Sequence, residues 1–390
     1  MLHLQGAMSL GLYIQVPFCQ TKCTYCNFHT GVVSSEHYEP YADALCREIA
    51  DSSRYTSDVV DTVYVGGGTP SLLDPTALAK IMDSVRGAFR TELLEATLEA
   101  DPETIRGEKV RQWAAAGFNR VSLGVQSFED RELQAAGRMH RRADVFRAVE
   151  SLRAARIGTI SMDLIAGLPY QTAPTWNESV GQLLKLRPEH ASIYMLEIDE
   201  GSRLGRESLA GGSRYGAGAV PDDDTIADFY EAARLRLAEA GYEHYEISNW
   251  ALPGFRSRHN LKYWRREPYL GFGAGAHSFD GTSRWANAHE TSRYLSCMQQ
   301  GTSPREQMEV LLPPQVIDEE SFLGLRLLEG TDVERIEREL GPEVPRRMAT
   351  VRERIDHLQA IGFIERQGPL IRLAPDRLTV SNEVFIQLLS

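Results

Sequence analysis

Three of the chain's five cysteines lie within eight residues, in the sequence VPFCQTKCTYCNF. Spacers of three and two residues separate Cys19, Cys23 and Cys26, so one loop can turn three sulfurs toward a single metal centre. A secreted disulfide framework would distribute its cysteines along the whole chain. The pattern predicts either a zinc site completed by a residue elsewhere or an iron-sulfur cluster, whereas Cys46 and Cys297 are expected to be ordinary thiols.

Composition limits the class of protein further. With 390 residues, 42% hydrophobic and 25% charged, the chain has the composition of a folded globular protein and the length of one large barrel or two domains. Its net charge of -12 argues against nucleic acid as a partner. The sequence has neither an apolar run of about 18 residues nor a secretory signal, which predicts no transmembrane segment and a cytoplasmic location.

Short β-branched runs alternate with amphipathic helical stretches from residue 10 to about residue 200. This alternation is typical of a parallel α/β fold, in which each helix returns the chain to the same sheet. The six predicted strands are 10–16, 59–65, 96–100, 120–125, 159–164 and 191–196. The predicted helices between them are 37–51, 75–89, 104–116, 143–155 and 173–185.

Unusual residues recur at the carboxyl ends of these predicted strands. The cysteines follow the first strand and Gly66-Gly67-Gly68-Thr69-Pro70 follows the second, while Glu99, Gln126 and Asp163 end the next three. Active sites of parallel barrels are built at this rim. We therefore predict a partial (β/α)6 TIM-type barrel with a site at its carboxyl rim.

Beyond the sixth predicted strand, the sequence supports less detailed predictions of structure. Glycine and serine between residues 201 and 224 indicate a surface loop or lid, and a helix is predicted over 223–240. The aromatic and glycine-rich segment 245–279 resembles neither a plain helix nor a plain strand and is interpreted as lining or capping the site. Charged helices and a short hairpin beyond residue 304 indicate a small helical or winged-helix-like domain. The predicted division is 1–9 as an extension, 10–290 as the barrel and 291–390 as the second domain.

Several rim residues suit a polar ligand. Gly67 and Gly68 would leave backbone N–H groups open to it, and triple glycine is also common in a tight strand-to-helix turn. Four side chains of this rim can bind an amine, a hydroxyl pair or a carboxylate: Glu99, Gln126, Arg138 and Asp163. Taken alone, each of them is better explained as a solvated or structurally paired residue, so only their common rim singles them out.

These motifs together resemble the core of the radical S-adenosylmethionine proteins. The resemblance rests on CxxxCxxC after the first strand, with Tyr25 just before the last cysteine, and on GGGTP after the second. It implies a 4Fe-4S cluster whose open iron binds S-adenosylmethionine. It also implies an electron donor such as a flavodoxin or ferredoxin, because an electron from the cluster cleaves the cofactor to a 5'-deoxyadenosyl radical.

Within that superfamily the chain is similar to the oxygen-independent coproporphyrinogen oxidase branch, and most of all to the HemW haem chaperones. The matching blocks are YIQVPFCQTKCTYCNF, YVGGGTPSLL, LEADPET, NRVSLGVQSF, LQAAGRMHR, DLIAGLPYQT, SFLGLRLLEGTD and RLTVSNEVFIQLL. The resemblance assigns the following residues to the S-adenosylmethionine site: Tyr13, Tyr25, Gly67, Gly68, Thr69, Glu99, Gln126, Arg138 and Asp163.

Two departures separate the chain from the oxidases of the branch. Phe28 stands where those enzymes carry a further cysteine, and only 18 residues precede Cys19, where they have a longer N-terminal arm. The resemblance therefore implies a haem chaperone that passes haem to an acceptor protein. A radical enzyme acting on a tetrapyrrole, such as a coproporphyrinogen oxidase or dehydrogenase, is the alternative, and a zinc-stabilised scaffold is a third.

The segment HNLKYW, residues 259–264, resembles the HNxxYW motif of HemW proteins. By this resemblance His259 binds haem, since imidazole is a standard axial ligand of haem iron. The alternative is a histidine that packs and hydrogen-bonds among aromatic residues. Arginines near the motif would meet the porphyrin propionates or form a solvated basic face; they are Arg256, Arg258, Arg265 and Arg266.

Overall fold

The computed structural model describes residues 9–52 and 58–389. The predicted extension over residues 1–9 lies outside them except for Ser9, which begins the first strand. All six predicted strands are present and pair in parallel in chain order. Their bounds are β1 Ser9–Val16, β2 Val59–Gly67, β3 Thr91–Ala100, β4 Arg120–Gln126, β5 Thr159–Ala166 and β6 His190–Met195.

Alternate residues of these strands face opposite sides of the sheet. In β1 the side chains of Leu10, Leu12 and Ile14 are fully buried on the side covered by helices, whereas Tyr13 faces the interior of the barrel, where its ring stacks against Tyr64 of β2. The inner face is polar, with residues such as Thr62, Glu95 and Ser161 among its buried side chains. A polar interior suits a barrel that binds a polar ligand, since burial of such groups requires hydrogen-bonding partners.

The five predicted helices of this half are also present, and a short sixth helix, α4, was not predicted. Local signals position their ends: Asp74 accepts a hydrogen bond from the Thr76 N–H at the start of α2, and Gly117 ends α3 in a left-handed conformation. The bounds are α1 Tyr38–Ser52, α2 Pro75–Ala88, α3 Gly107–Ala116, α4 Asp130–Ala135, α5 Arg142–Ala154 and α6 Ala173–Leu186.

The segment after β6 is more regular than the sequence predicts. The predicted loop 201–224 contains helix α7, and the predicted site-lining or capping segment 245–279 contains the end of one strand, three complete strands and helix α9. Glycine and aromatic residues hide these short elements because neither supplies a clear periodicity. The bounds are α7 Arg203–Leu209, α8 Asp223–Glu239, β7 Glu243–Glu246, β8 Asn249–Ala251, α9 Arg258–Trp264, β9 Tyr269–Phe272, β10 His277–Phe279, β11 Ser283–Asn287, α10 Thr291–Gln300 and β12 Arg305–Val310.

These strands extend the parallel sheet at both edges. Strand β9 pairs in parallel with β1, and β8 pairs in antiparallel with β6, in a sheet of order β12-β11-β10-β9-β1-β2-β3-β4-β5-β6-β8-β7. Helix α9 lies against the amino-terminal part of this barrel, since His259 contacts Thr62 of β2 and its backbone N–H bonds Glu95 of β3. The predicted partial barrel is confirmed, with α9 beneath it.

The last part of the chain has the predicted mixture of helices and a hairpin. Its bounds are α11 Pro313–Arg326, β13 Thr331–Asp332, α12 Val333–Leu340, α13 Pro345–Ala360, β14 Ile364–Gln367, β15 Leu370–Leu373 and α14 Ser381–Leu389. The three strands form a separate small sheet. The predicted division after residue 290 stays a prediction; α10 and β12 follow it, and β12 joins the large sheet. None of the helices in the described ranges is both long and apolar enough to cross a membrane.

Candidate functional site

The three predicted metal-ligating cysteines follow β1 in one short loop. The N–H of Cys19 donates to Gly31 O at 3.0 Å, and the N–H of Cys26 donates to Cys23 O at 3.3 Å. All three thiols are free and half-buried. Burial is the largest influence on the pKa of Cys19 and on that of Cys26, and it raises both. Three free thiols thus lie on one loop at the rim of the barrel. This position suits a metal cluster that must come into contact with a bound ligand.

The arrangement of these thiols differs from that of a closed single-ion site. Among the described residues, no three His, Cys, Asp or Glu side chains are grouped tightly enough to hold one metal ion. Zinc binds its four ligands at one atom, whereas the thiolates of a 4Fe-4S cubane bind separate irons. The loop therefore fits a cubane without requiring its sulfurs to converge on one point.

Arg138 connects the cysteine loop to the rim of the barrel. Its guanidinium donates to Cys23 Sγ at 3.4 Å and to Gly124 O at 2.7 Å, and it forms an ion pair with Asp101. The Arg138 side chain is 9% exposed, so these contacts replace almost all of its hydration. A buried cation beside a thiol stabilises the thiolate, the form of cysteine that binds metal.

The triple glycine packs directly on β1, as a ligand-binding turn requires. A Cβ on Gly68 would lie 2.4 Å from Phe18 O, and one on Gly67, which has φ 110°, would lie 2.5 Å from the Gln15 amide. The Gly67 N–H donates to Glu99 Oε2 at 2.9 Å, and Thr69 Oγ1 donates to an Asp101 carboxylate oxygen at 3.1 Å. The N–H groups of Gly68 and Thr69 donate to backbone oxygens of the segment before them, Val16 O and Phe18 O. The expectation that the turn leaves its N–H groups open to a ligand is therefore wrong, because all three are bonded within the protein.

Glu99 is a buried acid on the inner face of the barrel. The Tyr64 hydroxyl donates to its Oε1 at 2.7 Å, and burial raises its pKa to about 7, with those hydrogen bonds acting in the opposite direction. Tyr13 lies beside it, donates its hydroxyl proton to Gln15 Oε1 at 2.6 Å, and has its pKa raised mainly by burial. A carboxyl group with such a pKa readily accepts an ammonium or hydroxyl donor from a ligand.

Two further predicted residues lie on the neighbouring strands. Gln126 ends β4 with φ 65°, and its Oε1 is buried without a hydrogen-bond partner among the described residues. Asp163 on β5 accepts from the Ser122 hydroxyl at 3.4 Å, and burial raises its pKa to about 6. A strained backbone and an unsatisfied buried oxygen are features that a bound ligand explains. The residues of this rim therefore fit the polar groups of a cofactor.

Tyr25 lies among apolar side chains behind the cysteine loop. It packs against the cluster formed by Ala136, Ile165 and Leu168. Burial is the largest cause of its raised pKa, and Cys23 is the next. This environment suits an aromatic wall beside a cluster, since the ring displaces water from the thiols.

His259 occupies a different place from the other predicted site residues. Its Nδ1 lies 3.0 Å from Thr62 Oγ1, its Nε2 lies 2.8 Å from Tyr263 OH, and its side chain has no exposed surface. Burial lowers its pKa to about 3. A haem iron needs a free and accessible ring nitrogen, so this arrangement does not fit a haem ligand. It agrees with the alternative of a packed, hydrogen-bonded histidine.

The arginines near His259 are mostly neutralised. Arg256 and Arg265 both pair with Glu329, Arg266 pairs with Glu319, and Arg256 also pairs with Glu243. These acids come largely from the C-terminal part of the chain, which packs against this side of the barrel. The interpretation of these arginines as a porphyrin-binding face is therefore weakened, because three of the four, Arg256, Arg265 and Arg266, already have acidic partners in the protein.

Sequence reasoning missed three residues of the rim. Asp101 bridges Arg138 and Thr69, Tyr64 donates to Glu99, and Ser122 donates to Asp163. Asp101 stands two residues after Glu99 in the same block, at the end of β3, so its position was a usable signal. Tyr64 lies within an apolar run of the sequence. From sequence alone, a tyrosine whose hydroxyl faces the barrel interior cannot be distinguished there from an aromatic residue of the hydrophobic core.

The fold and this rim define a radical S-adenosylmethionine protein with an appended domain. The Radical SAM superfamily profile matches residues 13–183, and the HemN C-terminal domain profile matches residues 311–376. The Radical SAM domain brings a 4Fe-4S cluster and S-adenosylmethionine as cofactors. In structure the chain is similar to coproporphyrinogen III oxidase (HemN) from Escherichia coli, with a TM-score of 0.85 and 21% identity over 98% of this chain and 90% of that one.

The sequence relatives of the chain identify its family within the radical S-adenosylmethionine proteins. The heme chaperone HemW of Bacillus subtilis is 33% identical over 96% of this chain and 97% of its own. The heme chaperone HemW of Escherichia coli is 35% identical over 69% of each chain. This chain belongs to the HemW heme chaperone family.

Proposed function

We propose that this protein is a haem chaperone that binds haem and transfers it to an acceptor protein. The observation that carries the proposal is similarity along nearly the whole chain to proteins named heme chaperone HemW. Phe28 supports it, because the side chain is 67% exposed at the position where oxidases of the wider branch carry a cysteine. We place the protein in the cytoplasm, with a flavodoxin or ferredoxin as the electron donor to its cluster.

The site residues have separate tasks in this proposal. Cys19, Cys23 and Cys26 hold the 4Fe-4S cluster, and Arg138 positions the Cys23 sulfur through its 3.4 Å contact. When bound, the cluster supplies the electron that cleaves S-adenosylmethionine.

The rim residues bind S-adenosylmethionine. Gly67, Gly68 and Thr69 allow close approach of the ligand to the backbone. Glu99, Gln126 and Asp163 accept hydrogen bonds from its polar groups, and Tyr13 and Tyr25 exclude water.

Haem binding and haem transfer can be measured on the anaerobically reconstituted protein. Titration with haem should give a saturable Soret band, and addition of apomyoglobin should convert it to the spectrum of the globin. Free haem at the same concentration is the control for passive transfer. A protein that carries its cluster and yet gives no saturable haem binding would contradict the proposal.

A radical enzyme acting on a tetrapyrrole is the second candidate. It is favoured by the intact rim, where burial keeps the pKa of Glu99 at about 7 and that of Asp163 at about 6. Carboxyl groups near neutrality can both accept and return protons during a reaction. Anaerobic incubation with coproporphyrinogen III, reductant and S-adenosylmethionine separates the two candidates, because only the radical enzyme should form protoporphyrinogen.

A further inference from the structure

Two hydrogen bonds from β2 hold the carboxylate of Glu99 on the neighbouring strand. The Tyr64 hydroxyl donates to Glu99 Oε1 at 2.7 Å, and the Gly67 N–H donates to Glu99 Oε2 at 2.9 Å. Each carboxylate oxygen therefore has one donor from the protein, and each keeps a lone pair for a second donor. Glu99 also keeps part of its surface exposed, so a ligand inside the barrel can supply that second donor.

The ring of Tyr64 is itself held between two other rings. Its centroid lies 6.1 Å from that of Tyr13 on β1, at an angle of 26°, and 5.3 Å from that of His259 on α9, at an angle of 29°. Stacked rings of this kind contribute packing energy and restrict each other's rotation. The hydroxyl of Tyr64 therefore has a fixed position beside Glu99.

Gly66, the first residue of the triple glycine, leaves space for this contact. A Cβ on Gly66 would lie 2.8 Å from Tyr64 Cε1 and 3.0 Å from Glu99 Cδ. Gly67 has a positive φ, whereas Gly66 does not, so its backbone conformation does not require glycine. The physical reason for a glycine at this position is therefore the close approach of Tyr64 to Glu99.

The charges around Glu99 make these two donors important. Burial raises the pKa of Glu99 most, and the carboxylates of Asp163 and Asp101 raise it further. The hydrogen bonds from Tyr64 and Gly67 lower it, and no Lys, Arg or His in the described ranges forms an ion pair with Glu99. Burial also raises the pKa of the tyrosines that face Glu99, so they stay neutral; they are Tyr13, Tyr194 and Tyr263. The ionised form of Glu99 thus depends on hydrogen-bond donors rather than on a cation.

We propose that Tyr64 is a positioning residue of the S-adenosylmethionine site, which holds the Glu99 carboxylate in the orientation that accepts a hydrogen bond from an ammonium or hydroxyl group of the cofactor. Tyr13 and His259 fix the phenol ring of Tyr64, and Gly66 leaves it room. The inference rests on the task of Glu99 in the proposed function. It also gives α9 a part in the cofactor site, because the ring of His259 lies against Tyr64.

The experiment titrates the anaerobically reconstituted full-length protein with S-adenosylmethionine in a calorimeter, at pH values on both sides of the Glu99 pKa of about 7. Tyr64→Phe keeps the ring and removes the hydroxyl, so we expect affinity weaker by about tenfold at neutral pH. The rise of affinity with pH should also move to higher pH, because Glu99 loses a donor that favours its ionised form. The titration of the cofactor's own groups is the same for every variant and cancels in the comparison.

The matched control is Tyr242→Phe. Its hydroxyl is also a buried donor, to Pro188 O at 2.5 Å, and it lies outside the rim, so affinity and pH profile should equal those of the wild type. Gly66→Ala tests the same contact by a second route, because its Cβ would separate Tyr64 from Glu99 and should weaken binding with the same shift in pH. Circular dichroism and iron content show whether each variant is folded and carries its cluster. If Gly66→Ala fails either check, Tyr64→Phe decides.

A further variant, Glu99→Gln, distinguishes failure of this inference from failure of the role on which it rests. Weak binding by Glu99→Gln beside wild-type affinity and pH profile in Tyr64→Phe would overturn the role of Tyr64 and leave that of Glu99 standing. An equal loss of affinity at every pH in Tyr64→Phe would also overturn it, because a merely loosened site does not change the titration of Glu99. Wild-type affinity in Glu99→Gln would contradict the task of Glu99 itself. The haem chaperone function would stand in each case, since haem binding and transfer measure it separately.

Discussion

At the scale of single residues, the rim depends on charged groups that compensate one another. Asp101 and Arg138 form an ion pair with side chains 21% and 9% exposed, and the same arginine contacts Cys23. A charge taken out of water in this way is stable only with a partner in place. The order of the cysteine loop is therefore connected to Arg138, which lies more than a hundred positions later in the chain.

Replacement of a cluster ligand should remove iron without unfolding the protein. Cys23→Ala deletes a half-buried thiol on an exposed loop, and a three-thiolate site cannot hold a cubane with two ligands. We expect the broad iron-sulfur absorbance to disappear after anaerobic reconstitution, with iron content near zero. Cys297→Ala on α10 is the matched control and should keep both. Equal iron in the two variants would mean that the loop does not bind the cluster.

At the scale of elements, the turn after β2 packs closely against β1 and the residues that follow it. Gly68 lies against Phe18 O, and Gly67 lies against the side chain of Gln15, so β1 and this turn fit without space for a Cβ. The sequence showed the glycines but not their contacts. Several strands and helices were predictable because alternation and caps are local signals, whereas α4 and α7 are too short to show a period.

The turn gives a stability prediction with an internal control. Gly68→Ala places a Cβ 2.4 Å from a backbone oxygen, which should cost about 1–3 kcal/mol of unfolding free energy and weaken S-adenosylmethionine binding. Gly87→Ala in α2 has no atom within 4 Å of its new Cβ and should instead stabilise by roughly 0.5–1 kcal/mol. Urea unfolding measures both. Similar effects from the two substitutions would contradict the close packing of the turn.

At the scale of the whole molecule, Glu48 joins distant segments. Its carboxylate on α1 accepts from Gly273 N at 2.8 Å, from Asn287 Nδ2 at 2.6 Å and from the Tyr294 hydroxyl at 2.8 Å. These partners hold β9, β11 and α10 against the first helix. The acid is 6% exposed, and burial raises its pKa to about 7 despite the three hydrogen bonds.

This raised pKa predicts how stability changes with pH. Between the unfolded pKa of 4.5 and the folded pKa of about 7, the folded chain holds a proton that the unfolded chain releases, so rising pH favours unfolding. Compared with Glu48→Gln, the wild type should lose on the order of 3 kcal/mol between pH 4.5 and pH 7 and change little above that. Glu39→Gln, an exposed neighbour on α1, is the control. Parallel stability curves for wild type and Glu48→Gln from pH 5 to 8 would contradict the assignment.

The sequence alone determined the six parallel strands, most of their helices, the cysteine loop and the rim on which Glu99, Gln126 and Asp163 lie. Periodicity and strand order are properties of the local chain, so they can be read before folding. Only the tertiary structure decided the environment of His259, because Thr62 binds its ring and Glu95 binds its backbone N–H across long separations in sequence.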